Sequence, residues 1–150
     1  MKQSPQTKKL EEMMRSSKIV SGGFLGSDQR QLSEIIDADI AEVQKAGRSI
    51  AQVVERMTEL TAKANELFEN WVQINDNLQV MSREYKGKII CPWPHAGTFD
   101  KRVTTAKRMD CDKEICWTDL NIHMIAEHGF FEGKGVAFRV DPKELIDIIF

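Results

Sequence analysis

Histidine and cysteine are absent from this chain before residue 91. All three cysteines and all three histidines lie between Cys91 and Gly135. Nothing earlier in the chain can supply a thiolate or an imidazole. A metal centre with sulfur or nitrogen ligands, or a catalytic cysteine, would therefore have to lie in this region. Two of the three tryptophans, Trp93 and Trp117, lie there as well.

Long apolar runs and one-sided charge are also missing. No stretch of about 18 apolar residues is present, so no membrane span and no membrane partner are expected. The first residues lack the apolar core of a signal peptide. Residues 1–70 carry 10 basic and 11 acidic side chains, and residues 71–150 carry 11 and 12, which gives no electrostatic case for nucleic acid. We expect a cytoplasmic protein with reduced thiols.

Familiar catalytic motifs are absent too. The chain contains no Gly-x-Ser-x-Gly elbow and no dinucleotide-binding fingerprint. The glycine-rich stretch 21–28 lacks the Gly-Lys-Ser/Thr ending of a phosphate-binding loop, and Asp28 would repel an anion. We therefore predict no catalytic residue. The sequence does not decide whether the protein is an enzyme, but it favours a non-enzymatic protein.

The first half of the chain has the three- and four-residue apolar spacing of helices. Asp28 with Gln31 predicts a capping box for a helix from Gln29 to Ala46. Ser49 with Gln52 predicts a second box, before a helix reaching Phe68. The short turn at Gly47 predicts an antiparallel helical hairpin over residues 28–69. Residues 1–20 are expected to be a partly flexible segment, and residues 21–150 a single domain.

The second half, residues 71–150, is expected to be mixed. Turn residues at 75–77, at 86–88 and at 112–113 predict a small antiparallel sheet, and a short strand is expected at 138–140. Thr118 or Asp119 predicts the start of a helix that reaches His128, and Asp141 followed by Pro142 predicts a last helix. The predicted class is α+β, with two C-terminal helices packed on the sheet.

A zinc site is one interpretation of the cysteines and histidines. Cys91, His95, Cys111 and Cys116 make a complete four-ligand set if a hairpin brings the last two toward the first two. His123 and His128 are five residues apart, about 140° around a helix, so this spacing excludes a shared helix-borne site for them. In the competing interpretation the cysteines are small buried apolar residues. A Cys91 nucleophile with His95 or His123 as base is a further alternative.

Nucleic-acid binding is a second alternative. A basic strand near aromatic side chains can track phosphates and stack bases. Neighbouring acidic residues interrupt the positive field, and we favour a solvated sheet face as the explanation of the strand. The candidate recognition residues, which include a tip predicted to be exposed at 130–135, are Lys101, Arg102, Lys107, Arg108, Phe130, Phe131 and Lys134.

Three phrases suggest a family. Ser21–Asp28 (SGGFLGSD), Cys91–His95 (CPWPH) and Asp119–Gly135 (DLNIHMIAEHGFFEGKG), followed by Phe138-Arg139, resemble a family of small uncharacterised bacterial cytosolic proteins. The resemblance runs from about Ser21 to the end. It implies a cytoplasmic location but no activity and no catalytic residue. The leading functional hypothesis is a non-catalytic protein-interaction or oligomerisation module, which binds a protein partner or associates with itself as a homo-oligomer. The alternatives are a zinc-binding domain, which could be enzymatic, and a nucleic-acid-binding protein.

Overall fold

A computed structural model describes residues 4–17 and 22–150. Its helices and strands confirm the predicted α+β class, with one antiparallel sheet in the order β1-β2-β3-β4. No helix in these two ranges is both long enough and apolar enough to cross a membrane. The elements, in chain order, are α1 Pro5–Arg15, α2 Leu32–Lys45, α3 Ile50–Ala64, β1 Val72–Asn75, β2 Leu78–Ile89, β3 Phe99–Arg108, β4 Lys113–Thr118, α4 Asp119–His128 and α5 Pro142–Ile149.

The starts of α2 and α3 test the two predicted capping boxes. The Ser49 hydroxyl accepts from the Gln52 amide at 3.1 Å, and the Gln52 side chain accepts from the Ser49 amide at 2.9 Å, so the second predicted capping box is confirmed. The first is wrong: α2 begins at Leu32, after Gln31. The Asp28 carboxylate instead accepts from the Arg30 guanidinium and the Lys134 amide.

The sheet is a meander with one long arm. Tight turns at 76–77 and 109–112 join β1 to β2 and β3 to β4, as predicted. The turn predicted at 86–88 is wrong, because β2 continues to Ile89 and the extra residues form a bulge between Tyr85 and Lys88. Gly87 absorbs that bulge at φ +104. Residues 138–140 are not a strand.

The main core lies between one face of the sheet and helices α3, α4 and α5. Trp117 of β4 is fully buried there, and its indole N–H donates to the Thr61 hydroxyl of α3 at 2.9 Å. Both C-terminal helices pack on the sheet, as predicted. The apolar stripe of α3 packs in this core. Its fully buried members are Val53, Met57, Leu60 and Ala64.

A second apolar cluster lies beside the cysteine–histidine region. It joins Met14 of α1 and residues around α2 to Cys91 and to the inner side of α4. Met14 is fully buried, so α1 contributes to this cluster. Its buried members are Met14, Phe24, Leu25, Leu32, Ile35, Cys91, Leu120, Met124 and Phe130.

Candidate metal centre

Three parts of the chain meet to form a cluster of one cysteine and three histidines. Cys91 follows the end of β2, and His95 lies in the proline-containing loop after it. His123 and His128 both lie on α4. Thr118 starts this helix, since its hydroxyl accepts from the Asn121 amide, and Gly129 ends it at φ +65. The caps therefore fix where the two helix-borne imidazoles lie.

The cluster has nearly the dimensions of a tetrahedral zinc site. One potential ligand atom from each of Cys91, His95, His123 and His128 lies within 4.8 Å of all the others. The Nε2 atoms of His95 and His123 are 3.1 Å apart. Zinc–nitrogen and zinc–sulfur bonds of about 2.05 and 2.3 Å give tetrahedral edges of about 3.3 Å between nitrogens and about 3.6 Å from nitrogen to sulfur. These edges are shorter than the 4.8 Å limit, so a bound ion would draw some of the four ligand atoms closer together.

Hydrogen bonding leaves the ring nitrogens ready to bind a metal. The Nδ1 atom of His95 lies 3.0 Å from the Ala96 carbonyl oxygen. A carbonyl can only accept, so Nδ1 carries a proton, and in this tautomer the ring lone pair is on Nε2, which faces His123 Nε2 at 3.1 Å inside the cluster. His128 Nε2 is buried and has no hydrogen-bond partner. A buried polar atom without a partner is costly, and a bound ion would satisfy it.

Aromatic side chains hold the histidine rings in place. Trp93 stacks on His128 with ring centroids 3.9 Å apart and planes only 4° from parallel. The edge of Trp93 in turn meets Phe130, which is fully buried. The ring of Phe99 lies 4.6 Å from that of His123. These contacts restrict rotation of the imidazoles, which lowers the entropy lost when a metal binds.

Burial shifts the pKa of His123, His128 and Cys91 toward their neutral forms. It lowers the pKa of His123 and of His128, and the neighbouring histidines lower both further. Burial also raises the pKa of the Cys91 thiol, against a smaller opposite effect of a hydrogen bond from the Trp93 backbone. Neutral imidazoles are the form that binds metals, whereas the thiol needs a cation nearby to ionise.

Half of the ligand set predicted from the sequence is at this site. Cys91 and His95 belong to the cluster, but Cys111 and Cys116 do not. Cys111 is exposed at the turn after β3. This turn is nine or more residues along the strand from Phe99, and at about 3.3 Å per residue that separation is about 30 Å. Cys116 pairs with Thr105, about 20 Å along β3 from Phe99. The β3–β4 hairpin therefore carries both cysteines away from the site.

The prediction that His123 and His128 cannot share one site is wrong. Their ring centroids are only 5.5 Å apart, and both rings also approach His95. The helical-wheel angle describes where the Cβ atoms point, whereas each imidazole extends beyond its Cβ and rotates about two bonds. The concentration of every histidine and cysteine after residue 90 was the signal that could have kept this pair among the candidates.

Most of the side chains predicted to recognise nucleic acid are either buried or paired with acidic residues. Phe130 and Phe131 are fully buried, so the predicted exposure of the tip is wrong for its aromatic side chains, although Lys134 and Gly135 are exposed. The reason is local: Gly133 packs against the Leu25 backbone, and its amide donates to the Phe24 carbonyl, which turns both rings inward.

The basic side chains of that surface have acidic partners. Arg102 is shared among several carboxylates, Lys107 pairs with Asp112 at 3.7 Å, and Arg108 pairs with Asp110 at 3.0 Å. Lys101 and Lys134 are exposed. The positive charge of the strand is therefore mostly compensated, which leaves little to attract phosphates.

Comparison with protein-family models, with curated proteins and with solved structures gave no match. The resemblance to small bacterial cytosolic proteins accordingly stays an expectation. In the part of the chain that the structure describes, the most specific chemical feature is the Cys91–His95–His123–His128 cluster.

Proposed function

We propose that this protein is a zinc-binding domain in which Cys91, His95, His123 and His128 hold one ion. The observation that carries the proposal is the convergence of one sulfur and three nitrogen atoms within 4.8 Å. The buried, partnerless Nε2 of His128 supports it independently. Thiolate and imidazole are the ligands that zinc prefers, and four of them make a complete tetrahedral shell.

A shell with four protein ligands points to a structural ion. Catalytic zinc sites keep one position open for water or substrate, and this cluster provides a fourth side chain instead. A cysteine nucleophile is the less favoured chemistry, because burial raises the pKa of Cys91 and opposes the thiolate. A zinc ion would stabilise that same thiolate directly.

The ion would tie the proline loop to the helical layer. Cys91 and His95 lie on one side of the ion, and the two histidines of α4 lie on the other. The loop residues Trp93 and Pro94 also border a groove against α1. Metal binding would thus fix the loop, α4 and the second apolar cluster relative to one another.

Metal analysis of the purified protein with matched cysteine variants tests the proposal. We expect about one zinc per chain for the wild type after expression with added zinc. Cys91→Ser should lose most of the metal, whereas Cys111→Ser and Cys116→Ser should keep it. The two control variants also distinguish this site from the ligand set predicted by sequence, in which all three cysteines would matter.

Cobalt substitution adds a test of the ligand geometry. Tetrahedral cobalt(II) with a thiolate ligand gives intense visible bands and a sulfur-to-metal charge-transfer band in the near ultraviolet. His123→Gln and His128→Gln should each weaken cobalt binding and alter the spectrum. A wild-type protein that takes up less than about a tenth of an equivalent of zinc or cobalt would refute the proposal, and the four residues would then be a packed aromatic and hydrogen-bonded cluster.

The interaction-module hypothesis loses its original motivation. It was motivated by the long pair of helices with no catalytic signature beside it, and the central apolar residues of α2 and α3, such as Ile35, Val43 and Leu60, are fully buried within the chain. Self-association therefore remains a prediction without a surface assigned to it. Light scattering after size exclusion measures it directly.

A further inference from the structure

The four residues of the proposed zinc centre differ in their exposure to solvent. Cys91 is 4% exposed and belongs to the second apolar cluster. His123 and His128 are half-buried on α4, whereas His95 is exposed. The loop residues that follow it, 96–98, are exposed as well. The centre therefore has one open side, and His95 is the ligand that lies on it.

The contacts that orient the three histidine rings differ in the same way. Aromatic rings from outside the cluster pack on His128 and on His123. Among the described residues, the ring of His95 contacts these two histidines and the carbonyl oxygen of Ala96, its own neighbour in the loop. Rotation about the side-chain bonds of His95 would carry its ring into solvent. The loop backbone and the other three ligands could stay in place during this rotation.

The charge of the centre favours a second thiolate in the place of His95. A zinc ion with one thiolate and three neutral imidazoles has one net positive charge. Trp93 and Phe99 pack beside the ion as part of the second apolar cluster, where an uncompensated charge is costly. Glu127, the acidic neighbour of His128 in the chain, is exposed, so water screens its charge. Exchange of a neutral imidazole for a thiolate would make the centre neutral, and zinc binds thiolates readily.

The other two cysteines of the chain cannot supply this second sulfur. Cys116 pairs with Thr105, about 20 Å along β3 from Phe99, and Cys111 lies farther away, at the turn after β3. The incoming sulfur must therefore come from another molecule. The space that an imidazole ring vacates is the size of one side chain, so a small thiol fits it.

We infer that His95 is an exchangeable ligand of the ion and that a small-molecule thiol takes its place. The inference rests on the proposed zinc site. In the exchange, the bond between the metal and His95 Nε2 breaks, and a bond between the metal and the incoming sulfur forms. The thiol proton passes to solvent, and no electron is transferred. The ion keeps its structural role, because Cys91, His123 and His128 continue to hold it.

Titration of the cobalt(II)-loaded protein with 2-mercaptoethanol tests the inference, with ethylene glycol as the matched oxygen compound. Every protein carries Cys111→Ser, so that the exposed cysteine of a second molecule cannot supply the sulfur. Cobalt loading is measured first and tests the metal site separately. We expect 2-mercaptoethanol to increase the sulfur-to-cobalt charge-transfer band about twofold in a saturable way, because two sulfur ligands replace one. Cobalt should still elute with the protein in gel filtration, and ethylene glycol should change nothing.

Two further measurements identify the ligand that leaves. In nitrogen nuclear magnetic resonance spectra of the zinc-loaded protein, 2-mercaptoethanol should move the Nε2 signal of His95 to the position of a free ring, while His123 and His128 remain metal-bound. His95→Ala should bind 2-mercaptoethanol about tenfold more tightly or better, because no protein ligand has to leave first. Thr98→Ala, at an exposed position of the same loop, is the control and should behave as the unmodified site does. A gain of affinity cannot come from misfolding.

Several outcomes would overturn the inference and leave the zinc proposal standing. They are full cobalt loading with an unchanged charge-transfer band, release of His123 or His128 in place of His95, and equal thiol affinity of the His95→Ala and Thr98→Ala variants. Removal of the cobalt from the protein by the thiol would also overturn it, because the three remaining ligands are expected to hold the ion. Failure of the protein to take up cobalt at all would refute both the zinc site and the exchange.

Discussion

Glu132 is the carboxyl group whose replacement should stabilise this protein most clearly at alkaline pH. Its side chain is 4% exposed. The Asn121 amide donates to Oε2 at 2.7 Å, while the nearby Arg139 is engaged by Asp39 and by the Glu132 carbonyl. Burial raises the pKa of Glu132 from 4.5 to about 7, against smaller opposite effects of Asn121 and Arg139.

The sign of the effect follows from this raised pKa. The folded protein holds the Glu132 proton more tightly than the unfolded chain does, so folding is favoured at low pH. Stability is lost as the pH rises from about 4.5 to about 7, and above that range the ionised carboxylate is a full cost. A difference of about 2.5 pH units corresponds to about 3 kcal/mol.

Glu132→Gln removes this ionisation and imitates the protonated acid. We expect the variant to unfold at a higher urea concentration than the wild type at pH 8, with a free energy of unfolding larger by about 3 kcal/mol. Near pH 4.5 the two proteins should be equally stable. Because every histidine is common to both proteins, their difference isolates Glu132.

Glu55→Gln, at an exposed position of α3, controls for the change of net charge. It should leave the free energy of unfolding nearly unchanged at both pH values. If the Glu132→Gln protein were less stable than the wild type at pH 8, the ionised carboxylate would have to be stabilised in the fold, and the reasoning from burial would be refuted.

Three further predictions concern the fold and the metal site. Asp39→Ala should lower the free energy of unfolding by about 3 to 5 kcal/mol, because it leaves the Arg139 guanidinium, whose side chain is only 11% exposed, without its two-bond partner at 2.9 Å; urea titration measures this. Gly129→Ala should lower the free energy of unfolding by about 1–2 kcal/mol because of the positive φ, and by more because the added Cβ would lie 3.0 Å from Ile40. Gly47→Ala should show only the loss due to φ, because the space around its added Cβ is open. Trp93→Leu should weaken zinc binding by about tenfold in a chelator competition, since it removes the ring that orients His128.

Local signals in the sequence predicted the parts of the fold that depend on local physics. Ser49, Thr118 and Asp141 each accept from an amide three residues later, so these helix starts could be assigned from the residue type and spacing. Gly129 ends α4 at positive φ, so this helix end could also be assigned from the residue type. The failures occur where a distant partner competes. Asp28 bonds to the Lys134 amide, more than a hundred residues away, and therefore does not cap α2.

The two halves of the candidate zinc site differ in the same way. Cys91 and His95 are close in sequence, and the prolines between them limit the paths that the loop can take, so pairing them was a local inference. Which elements meet that loop is decided by tertiary packing. The β3–β4 hairpin carries Cys111 away, while the second apolar cluster brings α4 in, through buried Leu120 and Met124.

The prolines also affect the energetics of the site. Pro92 and Pro94 fix φ at two of the positions between the cysteine and the histidine, so the unfolded loop has fewer conformations to lose. On α4, His123 and His128 are already ordered by a capped helix and by Phe99 and Trp93. Binding of an ion would therefore cost the protein little further conformational entropy. The same four ligands placed on a glycine-rich loop and an uncapped helix would bind it more weakly, although the ligand atoms would be identical.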